Sequence, residues 1–467
     1  MTGKKLLEYL DSGSAEELFS SLYGDDEISA NRERYRRLIE GLLQEFPLEA
    51  FPEAAGELRV FSVPGRTELG GNHTDHNRGK VLAASIQLDA VAIVAPRQDK
   101  QVFFRSVGHP DIIVDISDLS IKEEEKGNTE ALIRGVAAEF AAQGTQVGGF
   151  TANASNMVLS GSGLSSSAAV EVLFAKIFDN LYGGGKRGAL ELAKIGQKAE
   201  NVYFGKPCGL MDQTACASGG AVAIDFEDLQ NPRVSGINFD PSSAGYALCI
   251  VNTKGSHSDL TPDYASIPGE MKAVAAFFGK TVLRELDEET LMTRFVDLRK
   301  AVGDRAILRA MHFFSENRKV DAMLAALENL NTISPNSTPA AKAEVMDTVL
   351  ALVRASGDSS SELLQNIYTT KNPAGQGLTL ALALTKKFLS LNDTCNEKGI
   401  HYGKGACRVH GGGFAGTIQA YIPSERLESY RKLVDGVFGA GALTVLRVRP
   451  LGAVELFTNP LTQWVNL

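Results

Sequence analysis

Residues 160–173 read SGSGLSSSAAVEVL: two glycines and five serines, then an abruptly helical, apolar run. A Gly/Ser string alone is a flexible linker, but a linker has no reason to run straight into an amphipathic helix. In a glycine loop that opens a helix, small residues let an anion approach exposed backbone N–H groups, and the helix N-terminus adds the positive end of its dipole. That suits the phosphates of a nucleotide. The hydroxyls of Ser165, Ser166 and Ser167 add donors or ligate a Mg²⁺ held between phosphates. A Ser-rich cap on a purely structural helix is the alternative reading of this stretch taken alone.

Outward from the loop, Ala169, Val172, Leu173, Ile177 and Leu181 follow helical three-and-four spacing, and glycines 183–185 stop the helix. A second helical stretch, GALELAKIGQKAENVYFG, leads to PCGLMDQTACASGG at 207–220. Before the loop, LRVFSV, KVLAAS, AVAIVAP and QVFFRSV form short β-like runs from Leu58 onward, separated by Gly, Pro, Asn and Asp clusters. After it, LCIVNT at 248–253 predicts a strand passing between two lobes. Residues 280–400 are mostly helical by pattern, and ACRVHGGGFAGTIQAYIP predicts strand, glycine turn, strand. Residues 1–55 are polar and helix-prone, with Tyr35, Leu38, Ile39 and Leu42 on one face packed on the body. The fold class is α+β, in two lobes that divide near residue 250.

Composition narrows the partners. The chain has 467 residues, is 44% hydrophobic and 22% charged, and carries a net charge of −9, which argues against a nucleic-acid surface of clustered Lys and Arg. The five cysteines are scattered, with no CxxC pair. The first residues, MTGKKLLEYLDSGSAEELF, break their apolar run with charges, and no later stretch stays apolar for about 18 residues. A soluble, cytoplasmic protein with small-molecule partners is expected, a monomer being favoured.

The familiar phosphate signatures fail. The glycine loop lacks the Gly-Lys-Ser/Thr ending of a Walker loop. GGGFAG at 411–416 matches GxGxxG, but TIQAYIP after it has the pattern of a strand, whereas a dinucleotide fold needs a helix there. Protein-kinase HRD and DFG signatures are absent.

Two further stretches carry chemistry. PGRTELGGNHTDHNRGKVL, residues 64–82, places Arg66, Glu68, Asn72, His73, Asp75 and His76 within eleven positions, the density of donors and acceptors that sugar hydroxyls require; a polar hairpin loop is the alternative. In PCGLMDQ, Asp212 and Gln213 stand among small and apolar residues. A buried carboxylate there pairs with Arg66 or another cation, or carries chemistry.

Together and in this order, these motifs resemble the galactokinase branch of the superfamily of galactokinase, homoserine kinase, mevalonate kinase and phosphomevalonate kinase (the GHMP kinases). PGRTELGGNHTDHNRG is similar to the galactose signature, SGSGLSSSAA to the nucleotide loop, HGGGFAG to the third motif, and PCGLMDQ to the segment with the catalytic aspartate. The resemblance implies a mixed-sheet N-terminal domain of the ribosomal protein S5 domain 2 type (56–250), a C-terminal α+β domain (251–467), a helical extension (1–55), and an active site in the cleft. It implies ATP and Mg²⁺ and transfer of the γ-phosphoryl group to the C1 hydroxyl of galactose. Arg66 and Asp212 would be catalytic, Asn72, His73, Asp75, Gly209 and Tyr264 would bind sugar, and Gly161, Ser162, Gly163, Leu164, Ser165, Ser166 and Ser167 would bind ATP. Ser167 and Glu200 would be the metal ligands.

The chain departs from the family at Asn72 and His76, where the family has Glu and Tyr, and at Glu68, where it has Asn. The family's Glu contacts the C6 hydroxyl. A carboxylate there would repel a hexuronate by roughly 4 kcal/mol at 4 Å and an effective dielectric of 20, so its absence opens galacturonate, or L-arabinose, which lacks C6, as alternative substrates. Alternatively, the negative charge has moved to Glu68. A non-catalytic sugar sensor is the remaining alternative; such a protein is expected to have lost Ser167 or Asp212, and both are present.

Overall fold

The computed structural model describes residues 1–45, 57–159, 161–255, 260–332, 339–391, 394–395, 401–402 and 404–458. In chain order the strands are β1 (Arg59–Gly70), β2 (Lys80–Pro96), β3 (Gln101–Ser106), β4 (Ile112–Asp115), β5 (Phe150–Asn156), β6 (Ala221–Asp225) and β7 (Arg233–Ile237). There follow β8 (Tyr246–Asn252), β9 (Thr394–Cys395), β10 (His401–Tyr402), β11 (Ala406–His410), β12 (Thr417–Pro423), β13 (Leu443–Leu446) and β14 (Val454–Leu456). One sheet has the order β14-β1-β2-β5-β3-β4, with β6 on the far part of β2 and β7 on β6; a second has the order β11-β12-β8-β13.

The helices are α1 (Gly3–Asp11), α2 (Glu16–Tyr23), α3 (Ile28–Glu45), α4 (Thr129–Ala142), α5 (Ser166–Phe178), α6 (Ala189–Lys198) and α7 (Met211–Ser218). The second half adds α8 (Thr261–Phe277), α9 (Glu288–Thr293), α10 (Phe295–Val302), α11 (Asp304–Thr332), α12 (Pro339–Ser359), α13 (Gly377–Ser390) and α14 (Leu427–Phe438). The mixed first sheet, the antiparallel second sheet and the helices make an α+β fold, as expected. Among the described residues no helix is long and apolar enough to cross a membrane.

Strand β2 shows why the central sequences are apolar almost without alternation. Successive side chains point to opposite faces, and both faces are covered. Val91, Ile93 and Ala95 pack with Leu10, Phe19 and Tyr35 of the N-terminal helices. Ala90, Ala92 and Val94 share the other core with Val172, Phe174 and Val136 of α5 and α4. The apolar runs KVLAAS and AVAIVAP, expected as separate, are one strand, and β1, expected over LRVFSV, continues through PGRTELG.

Asp89 lies in the middle of β2 with no exposed surface. It accepts hydrogen bonds from Tyr23 (2.7 Å), Ser62 (2.5 Å), Arg34 (2.6 Å) and Arg449 (2.8 Å). The predicted helical extension is therefore bonded into the sheet as well as packed on it. Tyr35, Leu38, Ile39 and Leu42 are at most 2% exposed. The boundary expected at 55/56 lies outside the described residues.

Strand β8 does not pass between lobes; it is an interior strand of the second sheet. Strand β14 runs antiparallel to β1, Val60 opposite Leu456, so the chain returns to the first sheet after the second, and a simple cut at 250 omits that return.

Candidate active site

Three stretches far apart in sequence converge on Asp212, which lies in the first turn of α7, where the helix dipole favours a carboxylate. Arg66, carried there by β1, donates from Nε (2.9 Å) and Nη2 (2.7 Å) to Asp212 Oδ1. Ser165 donates to Oδ2 at 2.5 Å. Arg66 also reaches the Gly163 carbonyl with Nη1, and its N–H donates to the Leu164 carbonyl at 3.0 Å. This close approach requires Gly65, where a Cβ would lie 2.7 Å from the Leu164 oxygen.

Burial pushes the Asp212 carboxyl up, but the Arg66 charge and the bonds from Ser165 and Arg66 hold it below its ordinary range. The carboxylate remains one-third exposed (34%), open to a reacting group. Asp212 is thus ionised, oriented and accessible.

The glycine loop has the geometry expected of an anion cradle. Gly161 and Gly163 have positive φ (71° each), and Ser165, the residue before α5, is left-handed (φ 63°, ψ 54°). For an ordinary L-residue that conformation is disfavoured by roughly 1–2 kcal/mol; here it turns the hydroxyl onto Asp212. Three of the predicted phosphate hydroxyls have protein partners: besides Ser165 on Asp212, Ser162 donates to the Leu159 carbonyl (2.6 Å) and Ser166 accepts from Asn156 (2.8 Å). Ser160 lies outside the described residues.

His410 of the third motif links β1 to this loop. Its Nε2 is 3.0 Å from the Thr67 hydroxyl and its Nδ1 is 3.2 Å from that of Thr417, which in turn donates to the Ser162 carbonyl (2.7 Å). Burial, with Arg66 and Arg408 nearby, pushes His410 far below the usual histidine range. It is a neutral strut.

The segment after β1 gathers the expected sugar residues. A Cβ on Gly209 would lie 2.1 Å from Asp75 Oδ2, so Gly209 leaves room for that carboxylate three residues before Asp212. His73 Nε2 lies 3.0 Å from the Gly412 carbonyl, and the Tyr264 hydroxyl donates to the Gly413 carbonyl at 3.0 Å. The Tyr264 ring rests where a Gly412 side chain would be. Burial and the neighbouring His76 push His73 down to about 4, so it is neutral at physiological pH.

Asn72 departs from the expectation of a sugar contact. Its side chain is 1% exposed. Nδ2 donates to Glu68 Oε1 (3.1 Å) and the Gly411 carbonyl (2.8 Å), and Oδ1 accepts from Asn366 (3.0 Å). Its hydrogen bonds are met by protein, the Glu68 carboxylate among the partners. That carboxylate is buried and paired with the fully buried Arg408, which also donates to Ser356 (3.3 Å); Ser356 donates to Glu316 (2.9 Å). His312 holds the Asn72 carbonyl at 2.9 Å. The sugar segment is thereby bolted to α11, α12 and β11.

On the other side of Asp212, Gln213 donates to both Glu171 (2.9 Å) and Glu200 (3.1 Å). Glu171 Oε1 and Gln213 Oε1 are buried without a partner. Burial and the like charge of Glu200 push the Glu171 carboxyl well above its usual range. Ser167 stands one helical turn before Glu171 on α5, hence on the same face. Carboxylate, hydroxyl and amide oxygens are the donors a divalent cation takes; here the unsatisfied oxygens are those of Glu171 and Gln213, while both Glu200 oxygens are held by Lys206 and Gln213.

Sequence patterns missed Glu171, Asn366 and Arg408. A Glu in the apolar run AAVEVLF and an Arg in ACRVH were the available signals.

The comparisons follow the same two regions. The model "GHMP kinases N terminal domain" matches residues 131–220, and "Galactokinase galactose-binding signature" matches 49–96. A galactokinase of Streptomyces coelicolor is 30% identical over 400 residues, covering 83% of this chain and 91% of that protein. The chain belongs to the galactokinase family. It is a kinase, a phosphotransferase of the GHMP class. A galactokinase of Clostridium tetani is 32% identical, covering 59% of this chain and 70% of that protein. In fold, the chain resembles a Lactococcus lactis galactokinase crystallised with galactose (TM-score 0.70, 23% identity, 90% and 100% covered). It also resembles a Methanococcus jannaschii mevalonate kinase (TM-score 0.56, 12% identity, 84% and 99% covered).

Proposed function

We propose that the protein transfers the γ-phosphoryl group of ATP to the C1 hydroxyl of galactose, giving galactose 1-phosphate and ADP. The carrying observation is the Asp212 carboxylate, held by Arg66 and Ser165 where the glycine loop meets the sugar segment. Asp212 orients the C1 hydroxyl and takes its proton as the new O–P bond forms and the bond to the ADP oxygen breaks. Arg66 offsets the charge on the transferring group. Phosphoryl transfer is mostly positioning and charge stabilisation, which this pair supplies.

Ser167 and Glu200 would hold Mg²⁺, with Glu171 behind Glu200. When bound, Mg²⁺ neutralises charge on the phosphate chain. The cradle at 161–167 receives the phosphates, and His73, Asp75, Gly209 and Tyr264 form the sugar side. The protein works in the cytoplasm as a monomer on small molecules, and the chain divides into the extension 1–55 and domains 56–250 and 251–467, with β14 returning from the second domain to the sheet of the first.

Galactose is favoured over galacturonate because the case for a uronate rested on Asn72 facing C6, and that amide is engaged by Glu68, Gly411 and Asn366. ATP consumption with Mg²⁺ and matched D-galactose, D-galacturonate, L-arabinose and N-acetylgalactosamine tests the assignment. Galactose should dominate; preferred turnover of galacturonate would reverse it, and turnover of none would leave a sensor. Because Asp212 is held below the ordinary carboxylate range, lowering the pH should remove turnover through this group only beneath that range.

Gly209→Ala checks the sugar side separately. The added Cβ displaces the Asp75 carboxylate, so the galactose KM should rise about tenfold, corresponding to one lost hydrogen bond to a charged group, with the ATP KM unchanged. An unaltered galactose KM would take Asp75 out of the sugar site.

A further inference from the structure

Beyond Lys198, which ends α6, the chain forms a π-helical turn, Ala199–Phe204, closed by Gly205 at φ 85°. The N–H groups of Gly205 and Lys206 both donate to the Glu200 carbonyl, at 3.0 and 3.2 Å. This fold-back carries the Lys206 ammonium onto the carboxylate of the same Glu200, Nζ to Oε1 3.0 Å.

The two partners differ sharply in environment. The Glu200 side chain is 3% exposed and that of Lys206 61%. Elsewhere at the site, permanent carboxylate partners are buried guanidiniums: Arg66 on Asp212 is 6% exposed and Arg408 on Glu68 is not exposed at all. Glu200, beside a second buried carboxylate that shares its Gln213 donor, instead receives a flexible point charge standing mostly in water. A solvated ammonium on a four-carbon stem can leave with little reorganisation, which a planar, buried guanidinium cannot.

We propose that Lys206 is a resident counter-ion of Glu200, occupying the carboxylate in the metal-free protein and exchanged for the divalent cation when that binds. The inference rests on the assignment of Glu200 as a metal ligand. Cation binding is then a displacement, weakened by the competition, and in exchange the buried acid pair is never left uncompensated.

Mn²⁺ titrations of the full-length chain, followed by electron paramagnetic resonance, test this together with melting in EDTA. Lys206→Met should bind Mn²⁺ roughly two- to fivefold more tightly, the scale of a solvent-exposed ion pair. It should also melt below the wild type in EDTA, with the gap closing as Mn²⁺ is added. Unchanged or weaker Mn²⁺ binding by Lys206→Met overturns the proposal, as does melting in EDTA equal to the wild type. Lys206→Gln should behave as Lys206→Met does, and misfolding of both even with Mn²⁺ counts against an exchangeable role. Glu200→Gln separates the two levels. If it binds Mn²⁺ as the wild type does, the metal-ligand assignment fails; if it loses Mn²⁺ while Lys206→Met is unchanged, only the counter-ion role fails.

Discussion

Asp212→Asn lowers kcat by about 10²–10⁴-fold, the usual contribution of a general base, while galactose binding and the melting temperature stay near those of the wild type. The asparagine keeps Oδ1 for the Arg66 fork and turns Nδ2 to the Ser165 hydroxyl, which can accept as well as donate, so the local frame survives. It loses the capacity to take the C1 proton and the charge that orients it. The loss should appear in kcat and kcat/KM alike, because the interaction matters chiefly in the transition state. Steady-state kinetics with calorimetric sugar binding check it; turnover within tenfold of the wild type would remove Asp212 from its role.

Arg408→Met has the largest expected effect on stability, about 3–5 kcal/mol, because it leaves Glu68 as an uncompensated buried charge. Burial already pushes the Glu68 carboxyl up against the pull of Arg408 and Arg66, so without Arg408 it takes up a proton or unfolds the segment. Since Asn72 leans on Glu68, the galactose KM should rise as well. Adding Glu68→Gln removes the orphaned charge and should restore much of the stability. Urea melts of both single variants and the double variant check this, and simple additivity would show that the pair does not interact.

The features legible in the sequence were those whose signals are local. The glycine loop running into α5, the polar density of 66–76 and the strand–glycine–strand of 406–423 each declare themselves within about twenty residues, and they supplied the fold and the pairing of Arg66 with Asp212. What was missed depends on distant partners. Asp89 made β2 look like two runs because its cations, Arg34 and Arg449, lie 55 and 360 residues away. Asn72 looked like a sugar contact for the same reason: Glu68 is four residues off, but the Arg408 that permits a buried Glu68 is 340 residues away. Pattern reading sees the charge and not its counter-charge.

The Asp89 cluster also has a consequence for how the chain is made. Arg34 leaves the ribosome long before Arg449, and β14, which completes β1, emerges later still. At about 5–20 residues per second, the first lobe waits on the order of tens of seconds with a buried acid lacking one of its cations and a strand edge open. Both motif-bearing segments of that lobe are synthesised long before it can close. A nascent chain stalled after the second sheet therefore carries Arg66 and Asp212, the residues proposed for catalysis, and still has an unfinished first domain, exposed to pairing with other chains until β14 arrives.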